Sequence, residues 1–349
     1  MVEQPRMSPV QYPAELQLKF RSQLANRRAR LEKTIAELNQ PPDLLLLLND
    51  VDAALSRLDA GGYGQCAVCH TEIAADDLLA NPTASYCLCE LSPERQRALE
   101  RDLALAWHVQ AALLPPPDIA LPGWQAHYRY IPNGPVSGDY CDLIVTDANP
   151  AAEFYFMLGD VSGKGVAASL LMAHLNASLR ASARAGLAPQ VALAEADRLL
   201  AESTLTSHYA TLVCGRARAS GEVEIANAGH CPPLVVRSNG CIESLESAGL
   251  PLGLSVSTPS GARYAAEKVR LGDGDSLVLY TDGVTEAANA HDAEYGTERL
   301  SRVLSRCGGQ SPRELVTRCL ADVSSFLVGG ALSDDLTMLA LWRCRREAA

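Results

Sequence analysis

Apolar side chains recur at helical spacing near the start of the chain and give way to short β-rich runs beyond about Leu121. Leu24, Leu31 and Leu38 stand seven apart, with Phe20 and Ile35 beside them, which predicts a helix over about 14–38. Pro41 and Pro42 must end it, because proline cannot continue a helix. Leu44, Leu48, Val51, Leu55 and Leu58 then follow the 4-3-4-3 spacing of a coiled-coil seam. Two striped helices with a proline break predict an antiparallel helical hairpin over 1–60. Gly61, Gly62 and Gly64 open a turn-rich segment over 61–91. Ser92-Pro93-Glu94 then combines a serine cap, a proline at the first helical position and an acidic first turn. That helix should reach Leu114, with Leu99, Leu103, Ala106 and Leu113 on a stripe interrupted by Gln110. Pro115-Pro116-Pro117 marks the boundary that closes a linker segment, 92–117.

In the remainder, 118–345, short apolar runs alternate with turns. Strands are predicted at 154–158, 209–216, 222–226, 233–237, 276–280 and 337–342, and helices at 166–185 and 191–202. Strands outnumber the crossovers that a parallel sheet needs. The expected class is therefore α+β, with antiparallel sheets and packed helices.

Composition narrows the function. Nearly half of the 349 residues are apolar and the net charge is −11, which disfavours bulk-electrostatic binding of nucleic acid. No apolar run reaches membrane-span length, and the first ten residues do not read as a signal peptide. Eleven cysteines without a secretory signal favour reduced thiols and a cytoplasmic location. Cys141, Cys214, Cys231, Cys241, Cys307, Cys319 and Cys344 lack metal-site spacing and read as small packing residues.

Four acidic motifs carry the candidate chemistry: Ser137-Gly-Asp139-Tyr-Cys-Asp142, Gly159-Asp160-Val-Ser-Gly-Lys-Gly165, Thr281-Asp282-Gly283 and Ser333-Asp334-Asp335-Leu-Thr337. Three sit where an apolar strand meets a polar loop, a rigid platform facing a cleft. Carboxylates are natural ligands of Mg²⁺ and Mn²⁺, and several together repel one another unless cations neutralise them. Two such ions about 3.5–4 Å apart can share a bridging hydroxide that attacks phosphorus in line. Taken singly, each motif has a plainer reading as a turn, a cap or a solvated loop. Lys164 is followed by Gly165 and Val166, so the second motif is no nucleotide-binding phosphate loop. The four in this order carry the inference.

With Leu113-Leu-Pro115, Asn227-Ala-Gly-His230-Cys-Pro232 and Tyr280-Thr-Asp-Gly-Val-Thr-Glu-Ala287, these motifs resemble the SpoIIE/RsbU branch of the protein phosphatase 2C (PPM) superfamily over about 111–342. The resemblance implies two packed antiparallel β-sheets flanked by helices and a metal-dependent serine/threonine phosphatase using two Mn²⁺ or Mg²⁺ ions. It implies that Asp160 bridges both metals, helped by the Val161 carbonyl. Asp282 and Asp334 complete the other metal, and Asp139 acts in a second shell or through water. Asp142, Asp335 and His230 are further second-shell candidates. Ser137 and Cys141 replace the family's usual Gly and Tyr.

Cys66-x2-Cys69-x17-Cys87, followed by Cys89, has near zinc-ligand spacing. With Arg57-Leu-Asp-Ala-Gly-Gly-Tyr-Gly64 and Asn81-Pro-Thr83, it resembles the DksA/TraR zinc-finger family over about 44–91. The fourth cysteine of that family falls where Glu90 stands, so Cys89, Glu90 or His70 would have to substitute, or zinc has been lost. Members act on RNA polymerase through acidic residues at the hairpin tip, whereas Asn39-Gln-Pro-Pro-Asp43 offers one Asp. A scaffold reused for sensing or homodimerisation fits better.

The expected function is hydrolysis of phosphoserine or phosphothreonine on a regulatory protein. The family points to a STAS-domain anti-sigma-factor antagonist in partner switching, with the N-terminal module as regulator. The rival expectation is a DksA-like regulator or dimerisation scaffold whose phosphatase domain is inert.

Overall fold

The structure, a computed structural model, describes residues 12–37, 42–67, 71–87, 93–145, 153–203, 209–245, 249–254, 264–327, 332 and 334–344. The chain divides into two compact units, Met1–Arg101 and Asp102–Ala349.

In the first unit, α1 (Ala14–Glu37) and α2 (Pro42–Asp59) form the expected hairpin. Phe20 and Leu24 of α1 are buried with Val51 and Ala54 of α2. Ion pairs Arg21–Asp59 (2.5 Å) and Arg28–Asp52 (2.7 Å) run in opposite order along the two helices, so they are antiparallel. Leu31 is only half-buried, and Leu38 lies outside the described residues. A short α3 (Ala75–Ala80) adds Leu78 to this core, and Ile73 joins it from the preceding turn. Of the candidate zinc ligands, Cys66 is buried, and its Sγ accepts a bond from the Cys87 amide at 3.3 Å. Cys69 and Cys89 lie outside the described residues, as do His70 and Glu90.

Helix α4 (Pro93–Leu113) ends at the triple proline and leads into two antiparallel sheets. The first holds β1 (Asp118–Leu121), β2 (Trp124–Ile131), β7 (Leu234–Val236), β8 (Ile242–Ser244), β10 (Ser276–Tyr280) and β11 (Leu336–Arg343), in the order β1-β2-β11-β10-β7-β8. The second runs β3-β4-β5-β6-β9, built from β3 (Tyr140–Val145), β4 (Glu153–Val161), β5 (Ala210–Arg218), β6 (Glu222–Ala228) and β9 (Ala266–Arg270). Helices α5 (Val166–Arg184) and α6 (Pro189–Ser203) cover the second sheet. After the short α7 (Asp282–Thr285), α8 (Thr297–Leu304) and α9 (Pro312–Phe326) cover the first.

The two-residue period of a strand explains the layering. Phe154, Phe156 and Leu158 of β4 point between the sheets, while Tyr155 and Met157 point at α5 and α6. Buried on both faces, β4 reads as one apolar run, which is why the sequence marks it plainly. Leu277 and Leu279 of β10 likewise face the sandwich interior, and Val278 and Tyr280 face α8 and α9. β1, β2 and β3 were not among the expected strands, and neither were α8 and α9. β2 carries Gln125 and Arg129 among its apolar residues, and β3 carries Asp142, so neither shows a clean run. Among the described residues, no helix is long and apolar enough to cross a membrane.

Candidate active site

Register brings the acidic motifs together. Tyr140 of β3 pairs with Gly159 of β4, so Asp139 and Asp160 fall side by side at one end of the second sheet. Tyr280 of β10 pairs with Met338 of β11, and the Thr281 amide donates to the Thr337 carbonyl at 3.0 Å. Asp282 and Asp334 therefore flank the corresponding end of the first sheet.

Two threonines stitch the sheets across this end. Thr281 Oγ1 donates to Asp139 Oδ2 at 3.2 Å, and Thr337 Oγ1 donates a short bond to the same oxygen. The Thr337 amide in turn donates to Thr281 Oγ1 at 2.9 Å. Asp335 fixes the adjoining loop, since its two oxygens accept from the amides of Asn133 (2.7 Å) and Gly138 (3.1 Å). Asp139 and Asp335 are buried, whereas Asp160, Asp282 and Asp334 remain partly open to solvent. The arrangement thus has three reachable carboxylates on two buried, hydrogen-bonded ones.

Close backbone approach accounts for two of the glycines. A Cβ at Gly138 would lie 2.7 Å from the Val161 carbonyl oxygen and 2.9 Å from Asp160 Oδ1. A Cβ at Gly283 would collide with the Asp335 carbonyl oxygen at 1.9 Å. Any side chain at either place would push the acidic loops apart.

The electrostatics mark a single cluster. Burial, followed by the charges of Asp139, Asp282, Asp334 and Asp335, holds the Asp160 pKa well above the carboxylate range. Burial raises Asp139 as well; the Thr337 bond opposes this, and Asp335 and Asp282 add to it. Burial and Asp334 raise Asp282, with the backbone amides and then Lys164 working the other way. Lys164 Nζ stands 3.4 Å from Asp334 Oδ1.

Hard oxygen donors packed until they repel one another fit Mg²⁺ or Mn²⁺. Among the described residues, no three His, Cys, Asp or Glu side chains stand in one ready-made coordination shell. The fit rests on the donor set, the mutual repulsion and the Gly138 cradle.

Asp142 takes its bonds from a different set of partners. Its carboxylate is fully buried and accepts from Arg180 Nε at 2.6 Å and Nη2 at 3.0 Å. The Leu143 amide and the Tyr140 hydroxyl complete its bonding, at 2.9 Å and 3.2 Å. One residue on from Cys141, the strand period turns it toward α5, where Arg180 stands.

His230 is held by its own turn. Its amide donates to Asn227 Oδ1 at 2.8 Å, Asn227 Nδ2 donates to its carbonyl, and its Nδ1 pairs with Thr211 Oγ1 at 2.8 Å. Burial pushes its pKa down to about 4, against the Tyr280 carbonyl, so the ring is neutral at pH 7. Cys231, read from the sequence as packing, feels Asp282, Glu286 and Asp160; burial first and then these charges push its thiol up to about 12.

The family model of Stage II sporulation protein E (SpoIIE) matches residues 150–343, more than half of the chain. The chain belongs to the SpoIIE family. Protein IcfG of Synechocystis is 27% identical over 266 residues, 67% of this chain and 40% of IcfG. The phosphoserine phosphatase RsbU of Bacillus subtilis is 25% identical over 253 residues, 71% of this chain and 72% of RsbU. The SpoIIE-family fold seen here is also that of the SiaA PP2C domain of Pseudomonas aeruginosa, with TM-score 0.61, 19% identity and coverage of 72% of this chain and 98% of that domain. The PP2C domain of SpoIIE from Bacillus subtilis, with a fragment of its regulatory domain, matches at TM-score 0.55 and 18% identity, covering 63% of each chain. The second unit has the fold of these PP2C domains, two antiparallel sheets with flanking helices.

Proposed function

We propose that this SpoIIE-family chain is a metal-dependent protein serine/threonine phosphatase acting on a phosphorylated regulatory protein. The observation that carries this is the meeting of carboxylates from both sheets at one end of the sandwich. Asp160, Asp282 and Asp334, with the Val161 carbonyl, would hold two Mn²⁺ or Mg²⁺ ions. When bound, such ions supply Lewis acidity, lowering the pKa of water and offsetting charge on the phosphoryl oxygens.

The chain's own residues do the positioning. Thr281 and Thr337 both bond Asp139 Oδ2 and so fix its carboxylate beside the cluster. Asp335 pins the Gly138 amide and so sets the height of the Asp139 loop. Lys164, on the loop before α5, offers a positive charge at the mouth of the cluster for an incoming phosphate.

The likeness to the phosphoserine phosphatase RsbU supports a phosphoserine substrate; a STAS-type anti-sigma-factor antagonist within partner switching, with the first unit as regulatory input, extends this reading by family resemblance. Homodimerisation and a cytoplasmic setting belong to the same reading.

The test is hydrolysis of p-nitrophenyl phosphate and of a phosphoserine peptide by the full chain, with Mn²⁺ or Mg²⁺ and with EDTA. Metal-dependent release of phosphate supports the proposal. Folded protein that binds Mn²⁺ but hydrolyses neither substrate would favour an inert domain serving a binding function.

A further inference from the structure

Gln110 breaks the apolar stripe of α4, and the structure shows where it goes. Its neighbours Leu105, Trp107 and Val109 are 63%, 42% and 57% exposed, while Gln110 is 4% exposed. Its Nε2 donates to the Ser137 carbonyl at 2.6 Å, and its Oε1 accepts from the Ser137 amide at 3.0 Å. One side chain thus satisfies both backbone polar groups of a buried loop residue, as a neighbouring β-strand would.

Ser137 opens the loop on which the acidic cluster is assembled. Its Oγ accepts from the Asp139 amide at 3.0 Å. The next residue, Gly138, donates to Asp335 at 3.1 Å and accepts from the Val161 amide at 3.2 Å. The loop held by Gln110 therefore touches each of the other three acidic motifs, the one at Asp282 through Thr281. We infer that Gln110 is a positioning residue for the cation site, fixing Ser137–Asp139 through a two-bond clamp from α4. This inference rests on the metal-site reading above.

The clamp is separable from the docking of α4. The helix end is held independently by Arg180 Nη2 on the Leu113 carbonyl (3.3 Å) and by the Tyr128 hydroxyl on the Pro115 carbonyl (2.7 Å). Leu113 and Leu114 also pack on the two core layers. Gln110→Met keeps the length and removes both bonds. Gln110→Glu keeps the acceptor, removes the donor and sets a carboxylate against the Ser137 carbonyl.

The experiment is calorimetric titration of Mn²⁺ into the full chain, wild type and variants, with unfolding midpoints measured alongside. Tyr155→Phe is the control, because it deletes a comparable side-chain-to-backbone bond, Tyr155 to the Leu187 carbonyl at 2.9 Å, away from the loop. Gln110→Met and Gln110→Glu are expected to weaken Mn²⁺ binding about tenfold, as loss of an outer support does elsewhere, with Tyr155→Phe unchanged. Wild-type Mn²⁺ affinity in Gln110→Met, whatever its stability, overturns the assignment, as does equal weakening by Tyr155→Phe. If Gln110→Met does not fold, Gln110→Glu decides by the same criterion. Wild-type protein that binds no Mn²⁺ refutes the metal-site reading itself, and the role of Gln110 with it.

Discussion

Asp139 and Asp142 belong to one short motif and are both buried, yet they sit in opposite electrostatic surroundings. Asp142 meets a guanidinium head-on, with two bonds from Arg180, an amide and a hydroxyl. Asp139 meets hydroxyls and other carboxylates, and burial with its acidic neighbours drives its pKa up. The first surroundings satisfy a charge and so make structure. The second leave charge uncompensated, and a fold retains such a cost where something else binds. What surrounds a carboxylate, rather than its place in a motif, separates the two roles.

The largest effect expected is at Asp160, which feels four other carboxylates. Asp160→Asn should cut turnover more than about 100-fold, beyond the loss typical of an outer support. The circular dichroism spectrum should be unchanged and the metal-free unfolding midpoint equal or higher, because one repelling charge is gone. Near-wild-type turnover would remove Asp160 from the cation site.

Arg180→Met tests the structural end. It strands the buried Asp142 carboxylate, and denaturant unfolding should show a loss of about 3 kcal/mol. The Mn²⁺ affinity of the folded fraction should match wild type. A stable variant with weakened metal binding would place Asp142 with the cluster instead.

Metal and pH should act on the cluster together. Asp139, Asp160 and Asp282 have native pKa values raised above their unfolded values, so their contribution to stability is complete below the ordinary carboxylate range. It is lost as pH rises through the raised native values. Metal-free protein should therefore lose stability as pH rises above the ordinary carboxylate range. Saturating Mn²⁺ should reverse the slope, adding about 2.7 kcal/mol at roughly a hundredfold excess over Kd. Thermal melts with and without EDTA across that range measure both.

The smallest effect is expected at Lys164. Its pairing with Asp334 is half-exposed on both sides, so Lys164→Gln should change stability by less than about 1 kcal/mol. KM for a phosphopeptide should rise more than kcat falls.

Much of this was legible in the sequence because local pattern and tertiary role agree. β4 shows as an apolar run because both faces are buried, and the hairpin shows because Phe20, Leu24, Val51 and Leu44 keep helical spacing. Asp160 and Asp282 were readable as strand-end carboxylates beside glycines, and Asp334 as a carboxylate just before a strand. What failed depended on distant partners. Arg180 lies 38 residues from Asp142, and the amide of Asn133 lies 202 residues from Asp335. Gln110 was visible only as a flaw in a stripe. Helix α9 had a signal that apolar spacing passes over: Ser311 and Glu314 form a capping box, with Pro312 at the first turn.

One set of carboxylates is expected to hold cations and the other to hold the fold. Mn²⁺ titration of Asp160→Asn and Asp142→Asn side by side tests it most directly. Binding should be lost in Asp160→Asn and keep wild-type affinity in Asp142→Asn. Unchanged binding in Asp160→Asn, or loss of binding in folded Asp142→Asn, would contradict it.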